Sequence, residues 1–219
     1  MDSPLSALAT VEGPSPSAAR AAVILLHGRG GAPRDMLELA RRLDLPAMPF
    51  LALAAPGNTW YPESFLAARE RNQPHLGEAL ARIEEVARAF ESQHGLRREQ
   101  IALLGFSQGA CLACEAIHRA PRAWGALVAF TGGVHGPLGT SFAPTGALRG
   151  TPVLLTNGDR DGWVPLERSE QTAALFTAMG ASVELRVYPG RAHLVSEEEL
   201  ALARPLLARL LGASEGEAA

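Results

Sequence analysis

Short apolar runs alternate with longer segments of mixed polarity along most of this chain. The apolar runs predict strands at 21–26, 48–54, 100–104, 124–130, 151–156 and 182–187. The segments between them predict helices near 33–43, 75–94, 108–119, 166–179 and 197–211. Strands that alternate with helices are typical of an α/β fold, with a mostly parallel sheet and helices on both of its faces.

This pattern fills one domain over residues 21–211, with neither an internal repeat nor a second domain. Residues 1–20 are expected to be flexible or to add an edge strand, and residues 212–219 to form a C-terminal tail. No large lid domain is expected, but the connections at 55–74 and 132–150 are long enough to be functional. We expect these two connections to form the walls of a pocket. Trp60, Phe65 and Trp163 are expected to bind the apolar part of a substrate there.

Residues 105–109 read Gly-Phe-Ser-Gln-Gly, between a predicted strand and a predicted helix. This is the context of a nucleophile elbow, in which a sharp turn exposes a serine hydroxyl. Glycines on both sides of Ser107 remove the Cβ atoms that would collide in such a turn. Ser107 is therefore the candidate nucleophile, and it needs a base to take its proton.

Candidates for the acid and the base follow Ser107 in the chain. Asp159 and Asp161 lie after the strand at 151–156, and His193 lies after the strand at 182–187. Loops at the carboxyl ends of parallel strands meet at one edge of the sheet. We favour Asp161 as the residue that orients His193, and Asp159 as a residue that braces its own turn.

The other histidines have less distinctive surroundings. His135 lies in a Gly-rich loop that could approach the pocket, although no acidic partner is evident from the sequence. Three more are expected to be solvated on helices: His75, His94 and His118.

A second glycine-rich turn, His-Gly-Arg-Gly-Gly at 27–31, follows the strand at 21–26. Such a loop supplies one backbone donor of an oxyanion hole. Its spacing fits neither dinucleotide-binding nor P-loop motifs. We expect His27 to shape this loop through backbone hydrogen bonds.

Cys111 and Cys114 form a C-x-x-C pair, with His118 one turn further along the same predicted helix. A redox pair or a zinc site can use this spacing, but zinc needs a fourth ligand that the sequence does not supply. Packing in the core behind Ser107 is the favoured interpretation, and no metal site is predicted.

The motifs around residues 26–31, 60–61, 105–109, 158–165 and 188–193 occur in an order that resembles the phospholipase/carboxylesterase family of small α/β-hydrolases, which includes acyl-protein thioesterases. The resemblance implies that Ser107, Asp161 and His193 form a catalytic triad and that the backbone amides of Arg29 and Gln108 form the oxyanion hole. It implies no cofactor, and it leaves a homodimer open. Arg29 stands where the eukaryotic thioesterases usually carry an aliphatic residue, which favours the bacterial esterases.

The resulting hypothesis is a serine carboxylesterase for short- to medium-chain acyl esters or thioesters, with a small-molecule substrate. Two alternatives remain: a catalytically silent binding module on the same fold, and a lysophospholipase or acyl-thioesterase with the same triad. The net charge of −3 favours neither nucleic acid nor an anionic membrane as a partner. No apolar stretch predicts stable membrane insertion, and no signal peptide is evident, so a cytoplasmic location is expected.

Overall fold

A computed structural model describes residues 9–212, which form a single sheet with helices on both faces. Within these residues the strands are β1 (Ala9–Glu12), β2 (Ala22–Leu26), β3 (Phe50–Leu53), β4 (Ile101–Phe106), β5 (Ala126–Phe130), β6 (Pro152–Gly158) and β7 (Ser182–Tyr188). The α-helices are α1 (Pro33–Arg42), α2 (His75–His94), α3 (Gln108–Arg119), α4 (Leu166–Ala178) and α5 (Glu197–Gly212). Each predicted strand and helix is present, with bounds that differ by at most two residues at either end.

The strand order is β1-β3-β2-β4-β5-β6-β7, and every pair is parallel except β1 with β3. The N-terminal segment thus supplies an edge strand at β1. The predicted C-terminal tail starts one residue too early, because Gly212 still belongs to α5. The rest of that tail, residues 213–219, lies outside the described residues, as do residues 1–8.

Successive residues of the central strands face opposite sides of the sheet, as strand geometry requires. Ile24 and Leu26 pack with α2, α3 and α4, whereas Val23 and Leu25 pack with α1 and α5. Both layers are buried, which explains why the strands read as continuous apolar runs. The parallel strands bring the loops after β2, β4, β6 and β7 to one edge of the sheet.

The expectation that His118 is solvated is wrong. The 132–150 connection folds over the end of α3, so that His118 is buried and its ring is nearly perpendicular to that of Phe142. Its Nε2 lies 3.3 Å from the carbonyl oxygen of Ala143. His75 is exposed and His94 is half-buried.

Candidate active site

Ser107 occupies a sharp turn between β4 and α3, with φ of 55° and ψ of −118°. L-residues rarely adopt a positive φ, and strained positions of this kind concentrate at functional sites. The flanking glycines permit the turn. A Cβ on Gly105 would lie 2.4 Å from the carbonyl oxygen of Gly109, and one on Gly109 would lie 2.1 Å from that of Leu26. The local sequence therefore fixes the exposed position of the hydroxyl.

Ser107, His193 and Asp161 form a hydrogen-bonded chain across three loops. His193 Nδ1 lies 2.7 Å from Asp161 Oδ2, and His193 Nε2 lies 2.8 Å from Ser107 Oγ. A carboxylate can only accept hydrogen bonds, so Nδ1 of His193 carries the ring proton. Nε2 is then free to accept a hydrogen bond from the serine hydroxyl. This is the tautomer that a general base for Ser107 requires.

The structure brings Asp161, and not Asp159, to His193. The Asp161 carboxylate is fully buried, and its second oxygen accepts from the backbone N–H groups of Trp163 and Val164 at 2.8 and 2.9 Å. Asp159 instead accepts from the backbone N–H of Gly190 at 2.6 Å and joins the two loops. Two aspartates two positions apart thus have separate structural roles.

The His27 ring fixes the 27–31 loop through two hydrogen bonds to backbone groups. Its Nε2 accepts from the backbone N–H of Ala55 at 3.1 Å, so Nδ1 donates to the Gly28 carbonyl at 2.8 Å. Burial lowers the pKa of His27, which keeps the ring neutral in this arrangement. These contacts confirm the expected loop-shaping role. Arg29 of this loop and Gln108, the first residue of α3, both border the cavity beside Ser107.

Arg29 and Gln108, whose backbone amides are the predicted oxyanion donors, also use their side chains to hold the 60–63 segment in place. The Arg29 guanidinium donates to the carbonyl oxygens of Pro62 and Glu63 at 2.9 and 2.7 Å. Gln108 Oε1 accepts from the backbone N–H of Trp60 at 3.0 Å. No local pattern signals these contacts, because they join residues more than thirty positions apart in the chain.

A cavity of about 430 Å³ opens beside Ser107. Phe65 and Trp163 border it as expected, and Trp163 is 73% exposed. Trp60 does not border it. Its side chain is buried, and its Nε1 donates to the carbonyl oxygen of His27 at 2.8 Å, so that Trp60 supports the loop from behind. Tyr61 takes the place in the cavity wall that was expected for Trp60.

Both cysteines pack in the core, as the sequence suggested. Cys111 also contributes to the cavity wall. Burial raises the pKa of its thiol to about 12, so the thiol stays protonated at neutral pH and is a poor nucleophile. Residues 9–212 contain no group of three or more His, Cys, Asp or Glu side chains that could hold a metal ion.

His135 lies behind the cavity wall, against the rings of Tyr61 and Phe65. Contrary to the sequence-based expectation, an acid is close: buried Glu115 accepts from the backbone N–H of His135 at 3.2 Å. Glu115 also pairs with Arg69 and Arg119 at 2.6 and 2.8 Å. Neither ring nitrogen of His135 has a hydrogen-bond partner among the described residues, and burial lowers its pKa to about 4.

The loop that carries His193 is anchored by Glu199, a buried carboxylate at the start of α5. Glu199 accepts from the Arg191 guanidinium, from the Thr156 hydroxyl and from the backbone N–H of Ser196. Arg191 also donates to the carbonyl oxygen of Leu194 at 2.5 Å. The sequence carries no local signal for this anchor, because Glu199 stands in a run of glutamates that is typical of an exposed helix start.

None of the helices within residues 9–212 is long and apolar enough to cross a membrane. Residues 7–210 match the phospholipase/carboxylesterase family. A probable carboxylesterase of Oryza sativa subsp. japonica is 29% identical over 81% of this chain and 83% of its own length. Acyl-protein thioesterase 1 of Gibberella zeae is 34% identical over 50% of this chain and 48% of its own length.

Among solved structures, a phospholipase/carboxylesterase from Dyadobacter fermentans superposes with a TM-score of 0.86 at 39% identity. The match covers 92% of this chain and 96% of the other.

Proposed function

The chain belongs to the phospholipase/carboxylesterase family of α/β-hydrolases, which are serine hydrolases, and we propose that it hydrolyses short- to medium-chain acyl esters through an acyl-enzyme on Ser107. The observation that carries this proposal is the hydrogen-bonded chain from Ser107 through His193 to Asp161. It joins a nucleophile, a base of the required tautomer and a buried carboxylate.

In the acylation step, Ser107 Oγ attacks the acyl carbon while its proton moves to His193 Nε2. Asp161 stabilises the imidazolium that forms. The negative charge on the former carbonyl oxygen is stabilised by the backbone amides of Arg29 and Gln108, the second of which lies at the positive end of α3. The bond to the leaving group then breaks, and the leaving atom takes the proton from Nε2.

Deacylation repeats these steps with water as the nucleophile. His193 takes a proton from water as the water oxygen attacks the acyl carbon. The bond to Ser107 Oγ breaks, and Ser107 recovers its proton from His193. No redox or metal chemistry enters this cycle.

The cavity beside Ser107 supports a small, mainly apolar acyl group. Its volume of about 430 Å³ falls within the usual range for small-molecule sites. Aromatic side chains of Tyr61, Phe65 and Trp163 provide the apolar surface. Similarity to acyl-protein thioesterase 1 of Gibberella zeae supports thioesters as a second class of substrate. A cytoplasmic location and a homodimer stay predictions.

Hydrolysis of p-nitrophenyl esters from acetate to palmitate tests the proposal. We expect turnover with an optimum at short or medium chains, and a loss of at least about three orders of magnitude in Ser107→Ala. Ser141→Ala, which removes an exposed hydroxyl outside the cavity, is the matched control. A fluorophosphonate probe should label the wild type and Ser141→Ala but not Ser107→Ala.

Near-normal turnover by Ser107→Ala would refute the assignment of the nucleophile. Labelling without ester turnover would move the proposal to thioester or amide substrates. Absence of both would favour a binding module.

A further inference from the structure

A second cavity, of about 460 Å³, adjoins the one beside Ser107. The two cavities share the wall formed by Gly28, Arg29, Phe106 and His193. They therefore meet where the proposed oxyanion loop and the proposed base face each other. An ester bound with its carbonyl group at this junction has one cavity available on each side of the scissile bond.

We propose that the second cavity binds the leaving group of the substrate, an uncharged alcohol of several carbon atoms. This inference rests on the proposed function. It assigns the acyl group to the cavity beside Ser107 and the alcohol to the other, so that substrate selection depends on both sides of the ester.

Covalent chemistry decides which cavity holds which group. In the acyl-enzyme, the acyl carbon is bonded to Ser107 Oγ, so the acyl chain must begin at Ser107. Ser107 borders the first cavity and does not border the second. Cys111, one turn along α3 from Ser107, also borders the first cavity. The acyl chain therefore belongs to the first cavity.

Proton transfer places the leaving group beside His193. When the carbon–oxygen bond breaks, the departing oxygen takes the proton from His193 Nε2 and must lie within hydrogen-bond reach of it. The second cavity is bordered by His193 and by the two residues that follow it, Leu194 and Val195. An alcohol that leaves past His193 enters this space.

The walls of the second cavity favour an alcohol with an apolar body. Four apolar side chains border it: Met36 and Leu39 of α1, and Leu194 and Val195 of the His193 loop. Leu194 is 47% exposed, so its side chain is accessible to an alcohol bound in this cavity.

The charges at this cavity disfavour an alcohol that carries phosphate. Asp35 and Glu38 border it and offset the charges of the two bordering arginines, so the cavity offers a phosphate no net positive charge. Both bordering arginines are engaged: Arg29 binds two backbone carbonyls, and Arg42 pairs with Glu197 at 2.6 Å. A lysophospholipid, whose leaving group carries phosphate, therefore fits less well than a neutral ester.

Esters of one acid provide the test, because they all form the same acyl-enzyme. We would measure kcat/KM for methyl, propyl, butyl and hexyl butyrate, and the deacylation rate from a p-nitrophenyl butyrate burst. The variant is Leu194→Ala. Leu138→Ala is the matched control, since Leu138 is similarly exposed at 52% and borders neither cavity.

In the wild type, kcat/KM should rise with the length of the alcohol, by at most about fourfold per buried methylene. Leu194→Ala should lower kcat/KM for the hexyl ester about threefold to tenfold more than for the methyl ester, and leave the deacylation rate unchanged. Leu138→Ala should match the wild type. 1-Butyrylglycerol should be cleaved at least about tenfold faster than 1-butyrylglycerol 3-phosphate.

A change in the deacylation rate or in the preferred acyl length in Leu194→Ala would overturn the assignment of the cavities. Equal kcat/KM for all alcohols, or for the phosphorylated and neutral glycerides, would also overturn the inference. In these cases Ser107-dependent turnover persists and the proposed function stands. Absence of Ser107-dependent turnover on every ester overturns both.

Discussion

Gln108 and Tyr61 bind each other twice. Gln108 Nε2 donates to the carbonyl oxygen of Tyr61 at 2.8 Å, and the Tyr61 hydroxyl lies 3.3 Å from the carbonyl oxygen of Gln108. Since Gln108 directly follows Ser107, these two hydrogen bonds join the turn at Ser107 to Tyr61 in the cavity wall. The wall and the proposed oxyanion donor of Gln108 are held as one unit.

Replacement of Gln108 by alanine should therefore affect both stability and activity. Gln108→Ala leaves the buried N–H of Trp60 and the carbonyl of Tyr61 without partners, which we expect to lower the free energy of unfolding by about 2–4 kcal/mol. It should also lower kcat/KM on p-nitrophenyl butyrate. Urea unfolding and steady-state kinetics measure the two effects. Gln93→Ala, on the exposed face of α2, should change neither.

The two aspartates after β6 allow a matched comparison. Asp161→Asn keeps the shape of the side chain but removes the charge that stabilises the His193 imidazolium in the proposed mechanism, so we expect kcat to fall by about four orders of magnitude. Asp159→Asn alters only the contact with Gly190 and should lower kcat less than about tenfold. Similar kinetics for the two variants would contradict the assigned roles.

His135 should make the folded protein less stable at acidic pH. Its pKa is lowered to about 4 by burial, with Glu115 opposing this shift and Arg69, Arg168 and Arg119 reinforcing it. The unfolded chain, with a pKa of about 6.5, therefore binds the proton first as the pH falls. The His135 contribution, about 3 kcal/mol, should be lost between about pH 6.5 and 4 and should level off below that range. The free energy of unfolding should still fall at lower pH, because the pKa values of Glu84 and Glu115 are also lowered.

Urea unfolding of His135→Leu at several pH values isolates this contribution. Since neither ring nitrogen has a partner among the described residues, the substitution should cost little at pH 7. The free energy of unfolding should then vary less steeply with pH than in the wild type, while His27, whose pKa is also lowered, keeps part of the slope. An unchanged slope would show that His135 does not titrate as described.

Glu199 should be required to hold the His193 loop. Glu199→Gln leaves the largely buried guanidinium of Arg191 without its carboxylate, and we expect a loss of about 3–5 kcal/mol in the free energy of unfolding. Activity should fall as well, because Arg191 anchors the residues around His193. Glu198→Gln, an exposed neighbour on α5, is the control and should stay within about 0.5 kcal/mol of the wild type.

The order of strands and helices, and the position of Ser107, Asp161 and His193 at one edge of the sheet, could be predicted from the sequence alone. These features depend on local signals: apolar runs in β2 to β6, and glycines that permit the turn at Ser107. The rule that parallel strands present their carboxyl ends on the same side then brings the loops together. Little of this depends on how distant side chains pack.

The contacts between loops could not be predicted in this way, because they depend on the packing of the whole fold. This packing buries Trp60 behind the 27–31 loop, covers His118, and sets His135 beside Glu115. It also joins Gln108 to Tyr61 and Arg191 to Glu199, and it opens the second cavity along α1. The physical reason is that residue type and spacing indicate a tendency to be buried, whereas the partner of a buried polar group depends on which segments the fold brings within hydrogen-bond distance.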